Sequence, residues 1–176
     1  MLKTAILSVL LLAGIRAFAA EPETTIIFVN AAETEATPSP DPGLSTEGQQ
    51  EAAALTSALR DIPVDAIYTI FQNRGVQTVT PLSTAKNCHL EYYRPAPDAE
   101  ALEAMMGSLV KQNAGKTIVI CGDPENIPAM LRQLGVKAKD LKTLYDKGYG
   151  QGLVVKVSGR NTVVAQKLNM NIQKNV

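Results

Sequence analysis

The stretch Thr24–Glu33, which reads TTIIFVNAAE, decides the fold of this chain, because an apolar run in it stops at an asparagine and an alanine. Its first part, Thr24–Val29, is short and rich in β-branched residues, a composition that favours a buried β-strand. We therefore predict a first strand that is followed at once by Asn30, Ala31 and Glu33, and we treat these three residues as candidates for a site.

Similar apolar runs recur along the chain and alternate with helical patterns. Strands are predicted at Asp65–Thr69, His89–Tyr93 and Thr117–Cys121, and the runs Leu153–Val157 and Thr162–Leu168 are typical of a hairpin. Alternating strands and helices indicate an α/β fold with a mainly parallel sheet. We expect a three-layer α/β/α sandwich that ends in a C-terminal β-hairpin.

Helices are predicted between these strands. The sequence from Thr46 has the pattern of a capping box, with Thr46 as the N-cap of the first helix. A second helix is expected over Arg74–Ala85, where Pro81 should kink or interrupt it. A third helix is expected to be capped by Asp98, and a fourth to span Pro124–Leu134.

Composition limits the class of protein. The chain has 176 residues, of which 45% are apolar, and this is enough for one domain with one core. Its 17 basic and 17 acidic residues cancel, so charge gives no reason to expect nucleic acid as a partner. The chain contains one histidine, His89, and a mechanism that needs two histidines cannot be built from it.

The first residues are typical of an export signal. Lys3 gives a positive start, Ala5–Ile15 is an apolar run too short to span a bilayer, and Ala17–Ala19 offers the small residues of a cleavage site. We predict a signal peptide over residues 1–19, a single mature domain over residues 20–176, and a periplasmic or secreted location with no membrane span after cleavage. An uncleaved N-terminal anchor or a disordered leader is the alternative.

Two cysteines in an exported protein raise the question of a disulfide. Cys88 opens one predicted strand and Cys121 closes another, so parallel strands would hold the two thiols at opposite edges of the sheet. Bridged cysteines need Cα atoms within about 7 Å of each other. We therefore expect two buried free thiols.

Ligands of parallel α/β folds bind beyond the carboxyl ends of the strands. Three segments of this chain occupy such positions: Asn30–Ala31, Thr69–Arg74 and Gly122–Asp123. None of them has the Cys/His spacing of a metal site or a glycine-rich phosphate loop, so neither a metal nor a cofactor is expected.

At these segments the chain resembles the histidine phosphatase superfamily, also called the phosphoglycerate mutase-like family. The likeness covers nearly all of the mature chain, and it implies a phosphoglycerate mutase-like sandwich. Each stretch that carries the resemblance is weak alone, whereas their order and spacing together are specific. The stretches are Ile26–Glu33 (IIFVNAAE), Asp41–Gly48 (DPGLSTEG), Ile67–Thr78 (IYTIFQNRGVQT) and Ile118–Pro128 (IVICGDPENIP).

The resemblance also implies a chemistry. In the family, one histidine attacks a phosphoryl group, while two arginines and a second histidine hold the phosphate oxygens. Matched to that pattern, Asn30 stands at the first arginine, Ala31 at the nucleophile and Asp123 at the second histidine. Arg74 alone is kept. The implied site is a degenerate phosphate pocket, in which Arg74, with Asn30, Asp123 and Glu33, binds a small anion or a phosphorylated molecule, or in which Asp123 neutralises Arg74.

The sequence therefore favours an exported and catalytically inactive family member with a binding or interaction role, with a small anion or a protein as its partner. The first alternative is an active phosphatase that uses unorthodox residues, with Cys121 or Asp123 as the nucleophile and Glu91 or Asp98 as the nearest candidates for the general acid. The second alternative is a structural or interaction protein that does not use the cleft. The third is a globular domain outside this family.

Overall fold

The computed structural model describes residues 22–139, 141, 152–158, 161–168 and 170. The predicted signal peptide, residues 1–19, lies outside these residues. Within the described part of the chain, no helix is long and apolar enough to cross a membrane.

The strands form one six-stranded sheet. They are β1 (Thr24–Asn30), β2 (Ala66–Ile70), β3 (Leu90–Tyr93), β4 (Thr117–Gly122), β5 (Gly152–Ser158) and β6 (Asn161–Leu168). Their order across the sheet is β3-β2-β4-β1-β5-β6. The first four strands in sequence are parallel, and β5 and β6 pair antiparallel. The predicted α/β class, with a mainly parallel sheet and a C-terminal hairpin, is confirmed.

Helices cover both faces of this sheet. Those with described bounds are α1 (Thr46–Ala58), α2 (Asn73–Lys86), α3 (Ala99–Gln112) and α4 (Ile127–Gln133). The alternating side chains of β1 show the layering, because Ile27 packs with Leu55 of α1 and Val79 of α2. Phe28, on the opposite face, packs with Met106 of α3. The architecture is the predicted three-layer α/β/α sandwich.

The first helix begins differently from the prediction. Ser45, rather than Thr46, is the N-cap, and its Oγ accepts the backbone N–H of Gly48 at 3.0 Å. Ser45 is held in extended conformation because its own N–H donates to the carbonyl of Glu33 at 3.0 Å. The prediction of Thr46 as the cap was wrong. Both Ser45 and Thr46 carry a hydroxyl that could cap the helix, and the hydrogen bond of Ser45 to Glu33 selects Ser45.

The other helices also differ in detail from the prediction. α2 continues through Pro81 without interruption. α4 starts three residues later than predicted, because Pro124 lies in a turn in which the N–H of Ile127 donates to the carbonyl of Asp123 at 3.0 Å. Asp98 caps α3 as predicted, accepting from the N–H of Ala101 at 2.8 Å.

Both cysteines are free in the structure. Cys121 is buried with its Sγ facing the carbonyl of Gly75 at 3.9 Å, whereas Cys88 is half-buried with its Sγ 3.5 Å from the carbonyl of Asp65. The expectation that both thiols are buried was therefore wrong for Cys88, which precedes β3 and does not lie within the strand.

The parallel pairing of the central strands brings three carboxyl ends together. Asn30, the last residue of β1, lies beside Gly122, the last residue of β4, and Thr69 of β2 lies beside Cys121. The pairing extends past the strands, since the N–H of Ala31 donates to the carbonyl of Gly122 at 2.8 Å. All three predicted site segments consequently meet at one edge of the sheet.

The loop between β1 and α1 is fixed to both helices on its side of the sheet. The N–H of Leu44 donates to Oε1 of Gln77 at 2.9 Å, and the N–H of Asn73 donates to Oδ1 of Asp41 at 2.9 Å. Against α1, the backbone of the same loop approaches so closely that a Cβ on Gly48 would overlap the carbonyl oxygen of Glu33. Gly48 is therefore a packing requirement of the site loop.

We expect Gly48→Ala to lower the free energy of unfolding by about 1–3 kcal/mol, because the added methyl forces the loop and α1 apart. Gly107→Ala is the matched control: Gly107 lies inside α3, and a Cβ there meets no atom within 4 Å. That substitution should stabilise the protein by about 0.5–1 kcal/mol. Urea unfolding measures both changes, and a Gly48→Ala variant as stable as Gly107→Ala would contradict this packing.

Candidate functional site

Arg74 is positioned by the tight start of α2. Asn73 begins the helix, and its side chain anchors this end by donating from Nδ2 to the carbonyl of Asp41 at 2.9 Å. Gly75 follows, and a Cβ at this position would overlap Ile70 and Thr69 at the end of β2. The first turn of α2 can therefore lie directly against the edge of the sheet, and it carries Arg74 to the site.

The guanidinium of Arg74 forms an ion pair with Asp123. Nη2 of Arg74 lies 2.9 Å from Oδ1 of Asp123, and the arginine side chain is 36% exposed while the aspartate side chain is 10% exposed. Nε of Arg74 donates to Oε1 of Gln72 at 3.3 Å, which orients the guanidinium toward the carboxylate. Of the two possibilities that the sequence left open for Arg74, the structure contains the pair with Asp123.

The charge of Asp123 is only partly compensated. Burial raises the pKa of this carboxyl above its ordinary value of 3.8, and the neighbouring Arg74 lowers it without cancelling the effect. The carboxylate of Glu125 adds a further upward contribution. Asp123 is therefore a carboxylate whose ionised form needs a cation beside it.

Asn30 and Ala31 lie at the carboxyl end of β1, at the same edge of the sheet as Asp123. Both are buried, with Asn30 9% and Ala31 1% exposed. Immediately after them, the N–H of Ala32 donates to Oγ1 of Thr78 at 2.9 Å, and the same hydroxyl donates to the carbonyl of Arg74 at 2.6 Å. Thr78 thus ties the end of β1 to the helical turn that carries Arg74.

Glu33 faces α1. Its carbonyl accepts the N–H of Ser45 at 3.0 Å, and its carboxylate interacts electrostatically with Glu51 on α1. Burial raises the pKa of Glu51, a backbone hydrogen bond from Glu33 lowers it, and the charge of Glu33 raises it. The structure places Arg74 against Asp123 and the backbone of Asn30 beside Gly122, the residue before Asp123, whereas the described contacts of Glu33 lie on the helix side of the loop.

Cys121, one of the two alternative nucleophiles, is poorly suited to attack, and the histidine of the chain does not lie at the site. Cys121 is 0% exposed, and burial raises the pKa of its thiol to about 12. A thiol must ionise to act as a nucleophile. His89 is exposed and precedes β3, so it lies at the opposite edge of the sheet from the site.

The two carboxylates considered as general acids lie at other places in the fold. Glu91 is an exposed residue within β3. Asp98 accepts the N–H of Ala101 and serves as the cap of α3. Among the described residues, no group of three His, Cys, Asp or Glu side chains is placed to hold a metal ion.

Sequence reasoning missed three residues that shape the site. Gln72 orients Arg74, and Thr78 links α2 to Ala32. The hydroxyl of Tyr93 donates to the carbonyl of Cys121 at 3.1 Å and so fixes the end of β4. Thr78 ends the stretch Ile67–Thr78 that carries the family resemblance, and it could have been identified from that stretch. The contacts of Gln72 and Tyr93 have no sequence signal.

Comparisons with known proteins agree with this architecture. Residues 26–95 match the model of the histidine phosphatase superfamily (branch 1). No curated protein sequence matches the chain significantly. The structural similarities below are at low sequence identity and concern the fold.

Three solved structures illustrate the likeness. A phosphoserine phosphatase variant from Entamoeba histolytica, with one histidine replaced by alanine and in complex with phosphoserine, has a TM-score of 0.68 at 14% identity, covering 86% of this chain and 100% of that chain. The mycobacterial glucosyl-3-phosphoglycerate phosphatase has a TM-score of 0.65 at 12% identity, covering 82% and 97%. The SixA protein of Nakamurella multipartitia, proposed to be a phosphohistidine phosphatase, has a TM-score of 0.60 at 16% identity, covering 84% and 97%.

The ion pair predicts unequal effects of removing its two members. Arg74→Gln leaves a buried carboxylate without its partner, and we expect a loss of about 1–2 kcal/mol, below the range of fully buried pairs because Arg74 is partly exposed. Asp123→Asn removes the charge whose burial is costly, so the stability should change by no more than about 0.5 kcal/mol. Urea unfolding at pH 7 measures both variants.

The pH dependence of the stability of Arg74→Gln provides a control for the ion pair. The folded-state pKa of Asp123 is raised, so stability falls as pH rises through the interval above 3.8. Removing Arg74 raises that pKa further, so the deficit of Arg74→Gln should shrink in acid, where Asp123 is protonated. Arg60→Gln, at an exposed position just beyond α1, should show no such trend. A deficit of Arg74→Gln that is absent, or that is the same at pH 4 and pH 7, would contradict the ion pair.

Proposed function

We propose that this chain, a member of the histidine phosphatase superfamily, is an exported protein that keeps the family fold, lacks phosphohistidine catalysis and serves in binding or interaction. The observation that carries the proposal is the ion pair between Arg74 and Asp123, the two residues that the resemblance matches to a phosphate-holding arginine and histidine. Export is inferred from the leader at residues 1–19, and a periplasmic or secreted location follows from it.

Phosphoryl transfer needs a nucleophile and several cationic donors around the transferred group. Ala31 supplies a methyl group at the position where the resemblance places the nucleophile, and this methyl is buried. Asn30 lacks the charged fork of an arginine. Asp123 adds a negative charge and occupies Arg74, the one cation of the family pattern that this chain retains.

Replacement of the nucleophile by another residue finds little support. The thiol of Cys121 is buried with a pKa of about 12, so it is protonated at neutral pH. Asp123 is the other nearby candidate, and its carboxylate oxygen contacts Arg74. An active phosphatase with unorthodox residues is therefore the less favoured function.

A binding role fits the residues that remain. Arg74 can hold the acidic group of a small anion or a phosphorylated molecule, since its side chain is one-third exposed. The variant phosphoserine phosphatase of similar fold, in which one histidine is replaced by alanine, is in complex with phosphoserine. A family fold without one of its histidines can thus hold a phosphorylated ligand.

A second candidate function is interaction with a protein through exposed aromatic residues rather than through the charged pair of Arg74 and Asp123. Phe71 is 79% exposed and Tyr92 is 52% exposed, and their rings meet edge to face with centroids 5.1 Å apart. Exposed aromatic residues are enriched where proteins associate. The balanced charge of the chain gives no reason to propose nucleic acid as the partner.

We expect the purified mature chain to show no turnover of p-nitrophenyl phosphate or 3-phosphoglycerate between pH 4 and pH 9, because Ala31 offers no attacking atom. Phosphate release measures this. Asp61→Ala, an exposed position far from the site, is the matched control for Asp123→Ala. Turnover that persists in Asp61→Ala and is lost in Asp123→Ala would overturn the proposal and would identify Asp123 as a reacting residue.

A further inference from the structure

The site combines opposite charges in a way that restricts what it can bind. Arg74 contributes one positive charge, Asp123 sits against it at 2.9 Å, and Glu125 is near enough to raise the pKa of Asp123. In this group two carboxylates, Asp123 and Glu125, therefore stand against the one guanidinium of Arg74. A phosphate dianion placed on Arg74 would face uncompensated negative charge.

A ligand of Arg74 must also compete with Asp123 for the guanidinium. A simple anion that takes Arg74 must separate it from Asp123, and this leaves a carboxylate that is 10% exposed without a cation. The gain of one charge contact is then offset by the loss of another. A ligand that carries an ammonium group beside its acidic group replaces both contacts at once, since the acid pairs with Arg74 and the ammonium pairs with Asp123.

The two halves of the pair differ in exposure, and the arginine is the half that solvent reaches, since the aspartate side chain is only 10% exposed. The guanidinium of Arg74 is 36% exposed and can receive the acidic group from solvent. Gln72 holds Nε of Arg74 at 3.3 Å, so the head group stays in place when its Nη2 contact is exchanged. Exposed Glu125 adds negative potential that attracts the ammonium.

We propose that the site formed by this ion pair binds a small zwitterion, with the acidic group of the ligand on Arg74 and its ammonium group on Asp123. This inference rests on the proposed non-catalytic function and names the ligand class of the same site. The ligand class includes amino acids and aminoalkyl phosphates. Binding involves no covalent step.

The test compares zwitterions with anions of the same shape. β-Alanine is paired with butyrate, and phosphoethanolamine with propyl phosphate, because in each pair a methyl group replaces the ammonium. Isothermal titration calorimetry and thermal melting of the mature chain at pH 7 measure binding. We expect at least one zwitterion to bind ten-fold or more tightly than its matched anion and to raise the melting temperature by mass action.

Variants assign the two contacts. Asp123→Asn should abolish the preference for the zwitterion, because the carboxylate that selects the ammonium is gone, while binding of the anion stays the same or improves. Arg74→Gln should lose binding of both members of a pair. Asp61→Asn and Arg60→Gln, two exposed neighbours beyond the end of α1, are the matched controls and should bind as the wild type does.

Two results would overturn the inference. The first is a matched anion that binds the wild type as tightly as its zwitterion. The second is no binding by any of the four probes, which would make the pair a closed structural contact. Neither result produces phosphate release, so failure here is distinguishable from failure of the proposed function.

Discussion

The parallel pairing of β1 with β4 is the constraint on which the site depends. It places Asn30 beside Gly122 and continues for one residue beyond the strands, through the hydrogen bond from Ala31 to Gly122. Ala31 is buried, and Asp123 directly follows β4 at the same edge of the sheet. The backbone thus fixes where Ala31 and Asp123 lie, and their side chains determine what chemistry the site can do.

In this site, a cation offsets part of the cost of a buried carboxylate. A buried carboxylate is costly unless a cation or hydrogen-bond donors surround it. Asp123 and Arg74 are placed by different elements, the end of β4 and the first turn of α2, and each supplies the charge that the other lacks. The hydroxyl of Thr78, which links Ala32 to the carbonyl of Arg74, helps to hold the pair in position.

Much of the fold could be predicted from the sequence, because short apolar runs and turn residues are local signals. The strands are found within about two residues of their predicted positions, and Asp98 caps α3 because its preference is local. Ser45 was missed in favour of Thr46 because the decisive contact comes from Glu33, twelve residues earlier in the chain. Pro81 was expected to kink or interrupt α2, but the helix continues through it, so the low helix propensity of proline did not decide the structure there.

The site was predicted less completely than the fold. The sequence placed Asn30, Arg74 and Asp123 at one edge of the sheet, since each follows a parallel strand. It left open whether Arg74 meets a ligand or Asp123, because side-chain pairing across two elements depends on distances that spacing does not give. Glu33 was grouped with the pocket, and its described contacts lie on the side of α1.

The central claim is that Arg74 and Asp123 form an ion pair at the carboxyl ends of the central strands. A ¹³C NMR titration of the Asp123 carboxyl in the wild type and in Arg74→Gln tests it most directly, because the chemical shift reports the protonation of this one group. The account predicts a pKa above 3.8 in the wild type and a higher one in the variant. The same pKa in both proteins would contradict it.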